Sequence, residues 1–166
     1  MLAAQAGAVV RITSHNSLEA AQKAALDTGA RFGVGLQGVS GADRAALREA
    51  LAQAGVVLAC AAAGVQVVAP EDLEFAKGLK VAADVNAVAP EGIAGVGVMD
   101  DAKPLAGVAG AVGIGALTVG NVKYQTQHRL LVSMQGAEKA VVLSFAEAFA
   151  AAREFLAEQA AAKPAA

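Results

Sequence analysis

Runs of β-branched residues alternate with capped, amphipathic stretches along this chain, and that alternation predicts an α/β fold: a parallel sheet with helices on both faces. The helical stretches run about ten to fifteen residues, the length a right-handed crossover between parallel strands requires. Apolar residues make up 56% of the 166, above the ~45–50% of an average domain. Much of that excess is alanine, accompanied by 18 glycines and no tryptophan. Small residues at such density suit closely packed layers, or backbone that approaches a ligand.

The elements follow in order. The first seven residues read as the last turns of a helix closed by Gly7. Residues 8–13 (AVVRIT) are a strand. Asn16, Ser17, Leu18 and Glu19 form a capping box with Asn16 as N-cap. The helix they open is expected to reach Thr28 and to end at a left-handed Gly29. Residues 31–39 are a second, weaker strand, and Ser40-Gly41-Ala42-Asp43 is another capping signal, followed by a helix to about Gln53 with Gly55 just beyond. Residues 56–60 (VVLAC) are a continuous apolar strand, as expected where both sheet faces are covered. Residues 61–64 are a loop of small side chains, and Pro70, Glu71 and Asp72 suit the first turn of a helix.

Residues 79–84 (LKVAAD) are a fourth strand that stops at a carboxylate. Residues 86–105 read as an irregular connection with one short strand at 93–96. Beyond a glycine-punctuated apolar stretch at 107–120, residues 122–134 are helical in composition and 139–143 form a final short strand. Ser144 and Glu147 make a last capping box. The helix it opens runs to about Gln159, with Phe145, Phe149 and Leu156 on one side. Residues 1–159 are therefore expected to be one unit, and 160–166 a fraying tail.

The net charge of −2 gives no electrostatic footprint for nucleic acid and no polybasic membrane patch. No apolar run reaches the ~18–20 residues of a membrane span, and no His, Cys and carboxylate cluster has metal-ligand spacing. The single cysteine, Cys60, excludes an internal disulfide and fits a reducing cytoplasm. Its plain reading is a small buried hydrophobe.

In parallel sheets of this kind ligands sit beyond the carboxyl ends of the strands. Here those ends are Thr13-Ser14-His15, Cys60-Ala61-Ala62 and Asp84-Val85-Asn86. A Rossmann dinucleotide domain opens with a strand, a G-x-G-x-x-G turn and a helix whose N-terminus holds the pyrophosphate. This chain opens on the end of a helix, so that strand and glycine turn are expected to lie upstream. One pattern imitates the turn, from Gly33 through Gly35 to Gly38, but a helix precedes it where a buried strand should. Its plainer reading is a glycine-containing strand.

Three stretches carry a resemblance. The first is Ala83-Asp84-Val85-Asn86-Ala87 with Pro90, Gly92 and Ile93 after it. The second is Gly110-Ala111-Val112-Gly113-Ile114-Gly115, followed by Lys123 and His128. The third is Val9-Val10-Arg11-Ile12-Thr13-Ser14. Together they resemble the NAD(P)-dependent methylenetetrahydromethanopterin dehydrogenases of methylotrophic bacteria, across nearly the whole chain. The resemblance implies an oxidoreductase of one-carbon metabolism with NADP or NAD as cofactor and a pterin-type carrier as substrate. It leaves room for a homo-oligomer.

On that resemblance Thr13, Ser14 and His15 lie where the adenine ribose would sit. They lack the carboxylate an NAD-specific site places there, which leaves NAD against NADP open. Cys60, Ala61 and Ala62 would let the dinucleotide backbone pass, Asp84 and Asn86 would read the nicotinamide and its ribose, and Gly113, Ile114 and Gly115 would back the ring. Lys123 would touch the pterin. The resemblance names no acid or base, so the catalytic residues stay unknown. Plainer readings stand beside each: a solvated His15, close packing at 61–63, an Asx turn at Asp84, a solvated helix lysine at 123. Two other functions remain open. One is a different Rossmann dehydrogenase, of methylenetetrahydrofolate or shikimate type. The other is a non-catalytic assembly module that pairs through an exposed sheet edge.

Overall fold

A computed structural model describes residues 1–162. It is α/β, as the alternation predicts, with three parallel strand pairs and one antiparallel pair. The elements are α1 (Leu2–Gln5), β1 (Val10–Ser14), α2 (Leu18–Phe32), β2 (Leu36–Ser40), α3 (Arg44–Ala52), β3 (Val56–Ala59), α4 (Pro70–Leu73), β4 (Val81–Asp84), β5 (Asp101–Pro104), β6 (Val112–Ile114), α5 (Ala116–Gln135) and α6 (Phe145–Ala162). Residues 163–166, within the expected tail, lie outside the described residues; 160–162 continue α6.

The strands form two sheets rather than one. β1 and β2 pair alone, and the other four run in the order β3-β4-β6-β5. The break separates the β1–β2 pair from the larger sheet. Helix α3 spans it. Leu47 and Leu51 of α3 enter the core of the larger sheet beside Leu73, Leu79, Ile93, Val96 and Leu105. Arg44 and Arg48 of the same helix pair with Asp72 of α4, which is fully buried. Arg11 of β1 also donates to the Gln53 side chain at the end of α3, at 2.7 Å.

Several local expectations are corrected. Ser17, not Asn16, is the N-cap of α2: its hydroxyl accepts the Ala20 N–H at 3.1 Å. α2 passes through Gly29 and ends at Phe32, with Gly33 left-handed at φ 65°. The first glycine of the imitation loop is thus a helix terminator. The short strand expected at 93–96 reduces to one bridge between Val68 and Ile93. The strand of that connection is β5, which pairs antiparallel with β6 and carries a bulge between Asp101 and Lys103. The strand expected at 139–143 is a connection, with Val142 92% exposed; among the described residues no strand pairs with it, and a lone strand leaves its backbone groups to water. β3 is not buried on both faces: Val56 and Leu58 are 57% and 63% exposed. Among the described residues nothing packs over that face, so only Ala59 and half-buried Val57 meet the core. Half of the Ser144–Glu147 box forms: Glu147 accepts the Ser144 N–H at 2.7 Å, and the Ser144 hydroxyl donates to the same carboxylate at 3.0 Å. In α6, however, Phe155 and Ala151 are the buried residues, while Phe145 and Leu156 are exposed.

Candidate functional site

Strand register decides what the carboxyl ends bring together. Ala59 of β3 lies opposite Asp84 of β4, and Ala83 lies opposite Ile114 of β6. The segments that leave these strands therefore emerge side by side: Cys60-Ala61-Ala62, Val85-Asn86 and Gly115. Thr13, Ser14 and His15 end β1 in the other sheet, where Ser14 lies opposite Ser40. The structure unites two of the three predicted strand ends in one sheet, adds the end of β6 beside them, and places the third, at β1, in the other sheet.

The sides of this edge differ in chemistry. Cys60 is a free, exposed thiol and not the buried hydrophobe expected, because β3 ends at Ala59, which takes the core position. Ala62 is exposed and Ala61 half-buried, so the stretch beyond β3 offers backbone and methyl groups with little bulk above them. At β1, Thr13 and His15 are exposed. Ser14 is engaged locally: its hydroxyl accepts the Asn16 N–H at 3.2 Å, and its carbonyl accepts the Gly41 N–H at 2.8 Å.

Asp84 and Asn86 are the most enclosed polar groups here, 1% and 6% exposed. Asp84 Oδ1 accepts the Asn86 N–H at 2.9 Å, and Oδ2 accepts the Ile93 N–H at 3.0 Å. Asn86 Oδ1 accepts the N–H groups of Gly64 at 3.2 Å and Val88 at 3.0 Å, while Nδ2 donates to the Pro90 carbonyl at 2.9 Å. Both side chains are spent on backbone rather than turned outward. A Cβ on Gly92 would stand 2.8 Å from Asp84 Oδ1, so glycine alone lets the loop close over that carboxylate.

Gly113 and Gly115 are buried and Ile114 is half-buried. Gly115 caps α5, and a Cβ there would fall 2.1 Å from the Gly97 carbonyl oxygen. Its N–H donates to the Asp100 carbonyl at 2.8 Å, and the Leu117 N–H donates to Val98 at 3.0 Å. The glycine serves the close approach of α5 to the turn at 97–100. Lys123 is exposed on α5, about 12 Å along the helix from Gly115 at 1.5 Å per residue. His128, also exposed, stacks against Tyr124 on the same helix.

Reading the sequence missed that Asp84 and Asn86 hold backbone groups, those of Gly64, Val88, Pro90 and Ile93. The signal was present in the spacing of asparagine, proline and glycine after the aspartate. It missed Asp72 as the anchor of Arg44 and Arg48, since nothing local marks a long-range ion pair. Among the described residues no cluster of His, Cys, Asp and Glu could hold a metal, and no helix is long and apolar enough to cross a membrane.

No family model matches the chain. Over 154 residues, 93% of its length, the chain is 43% identical to a protein of Methylorubrum extorquens, the NAD(P)-dependent methylenetetrahydromethanopterin dehydrogenase. The resemblance read from the three stretches of sequence is thereby borne out. The chain spans about half the length of that relative, 52%.

Proposed function

We propose that this chain forms cofactor-side structure of an NAD(P)-dependent dehydrogenase that oxidises a methylene group carried on a reduced pterin. The observation that carries the reading is 43% identity sustained over 93% of the chain. The geometry fits in a particular way. The strand ends of β3, β4 and β6 are aligned, and the residues beyond β3 are small and open. A dinucleotide would lie along Cys60, Ala61 and Ala62 and reach towards Thr13 and His15. It would meet backbone there, because the Asp84 and Asn86 side chains are already engaged. Gly113, Ile114 and Gly115 would form the floor behind the reacting ring, and Lys123 would approach the carrier.

When bound, the nicotinamide accepts the hydride. The methylene carbon that gives it up lies between two nitrogens, whose lone pairs stabilise the cation left behind. No proton leaves in that step, so no acid or base is required of the chain. Its tasks are to align two rings and to exclude water. Without a carboxylate among Thr13, Ser14 and His15, nothing at that strand end rejects a 2′-phosphate, and NADP is accepted as well as NAD. The free, exposed Cys60 suits the reducing cytoplasm, where we place the protein.

A chimera tests the reading. The 154 matched residues of the Methylorubrum protein are replaced by those of this chain, and NAD(P)H formation is followed with methylenetetrahydromethanopterin and with methylenetetrahydrofolate. Turnover of the pterin carrier is expected. Turnover of the folate alone would move the assignment to a folate dehydrogenase. The chain by itself is expected to bind the dinucleotide weakly and turn over little, since among its described residues no G-x-G-x-x-G turn follows a strand.

One observation favours a second reading. β1 and β3 each present an unpaired edge, and β3 exposes Val56 and Leu58 without a charged residue to guard them. An assembly module would use that edge to pair with another chain. Light scattering after size-exclusion chromatography separates the two readings, and a clean monomer speaks against assembly.

A further inference from the structure

We infer that Asn86, braced by Asp84, is the positioning residue that sets the opening between the loop beyond β3 and the loop beyond β4. The inference rests on the dinucleotide reading and gives these two residues a different task from contacting the ligand. One amide side chain joins three backbone sites on two loops: Gly64 on the first, Val88 and Pro90 on the second. Asp84 fixes where that amide stands, accepting from Asn86 N on one side and from Ile93 N on the other. The second loop is then strapped back to the first. The Gly92 carbonyl accepts the N–H groups of Val67 at 2.8 Å and Val68 at 3.0 Å. The stretch at 61–63, where a dinucleotide would pass, is thus held between Ala59 in the core and Gly64 on the amide.

The side-chain chemistry is specific. The position needs an acceptor for two N–H groups and a donor for one carbonyl at the reach of a single methylene. Asparagine supplies both. Aspartate keeps the acceptor and turns an oxygen towards Pro90 O. Alanine removes everything and leaves the Gly64 and Val88 N–H groups and the Pro90 carbonyl without their side-chain partner.

Amide exchange followed by NMR on the full chain, with and without NADP+, tests this. In Asn86→Ala the amides of Gly64 and Val88 are expected to exchange at least about tenfold faster, the scale of one lost hydrogen bond. NADP+ binding is expected to weaken by about the same factor. In Asn86→Asp those two amides stay protected, while Val67 and Val68, which rely on the second loop, speed up. That split is one a general loss of packing would not produce, and it serves if Asn86→Ala fails to fold. Unchanged protection of Gly64 and Val88 in Asn86→Ala would overturn the positioning role. Unchanged NADP+ affinity alongside lost protection would overturn its bearing on the ligand. Wild-type chain that shows no response to NADP+ defeats the dinucleotide reading alone, and the latch is then decided by the exchange pattern.

Discussion

The unit made of β1, α2 and β2 and the unit built on the β3–β6 sheet are held together by opposite means. In the first, the buried residues of α2 are Ala21 and Ala25, and the helix lies against Gly38 of β2. A Cβ on Gly38 would stand 2.3 Å from the backbone nitrogen of Gln22. Little side-chain volume is involved, and cohesion comes from backbone brought close to backbone. In the second, Leu73, Leu79, Ile93, Val96 and Leu105 gather around Ala76 and Ala82 in an aliphatic core. Burial at roughly 25 cal/mol per Å² makes that core the main source of stability. The smaller unit leans on the larger one through α3 and the ion pairs at Asp72. One alanine- and glycine-rich composition thus serves two purposes in one chain.

Leu79 is 1% exposed, and Leu79→Ala should cost about 2–5 kcal/mol, lowering the urea midpoint of the whole chain. Gly38→Ala should cost less, about 1–3 kcal/mol for an overpacked contact, and its effect should be confined. Amide exchange should quicken in α2 and β2 while β4 and β6 keep their protection; uniform loss across both units would contradict the division. Asp72→Ala should cost about 2 kcal/mol, below the 3–5 kcal/mol of a fully buried pair, because Arg44 and Arg48 can turn to water. Here the expected sign is earlier unfolding of the smaller unit in a two-probe denaturant titration.

The smallest effect concerns acid. Hydrogen bonds from the Ser144 backbone, first, and the Ser144 hydroxyl hold the Glu147 carboxyl below its ordinary range, and Arg129 does the same for Glu158. A depressed folded-state pKa means stability present above the unfolded value and lost as pH falls through the folded one. Helix α6 should therefore loosen below about pH 4, the ordinary carboxylate range. Far-ultraviolet circular dichroism should show a shallower acid transition in Glu147→Gln.

Sequence carried the order of elements well. β1, β3, β4 and the Ser144–Glu147 cap were readable because each depends on residues close in the chain. The antiparallel β5 was not, because its residues, Asp-Ala-Lys-Pro, have no strand pattern and pair only by courtesy of β6. The exposure of Val56 and Leu58 was hidden too, since an apolar run looks the same whether or not something covers it. At the candidate site, sequence found Asp84 and Asn86 but not the direction of their side chains. Direction came from Gly64, Val88, Pro90 and Ile93, whose backbone groups carry no signature of their own.

The aligned strand ends beyond β3, β4 and β6 are proposed to receive a dinucleotide. An amide chemical-shift titration of the chain with NADP+, repeated with NAD+, tests it most directly. Perturbations are expected to cluster at Thr13 and His15, at Cys60, Ala61 and Ala62, and at Gly113 and Ile114, with similar responses to both dinucleotides. Silence at those positions at saturating dinucleotide, or shifts confined to α5 and α6, would contradict it.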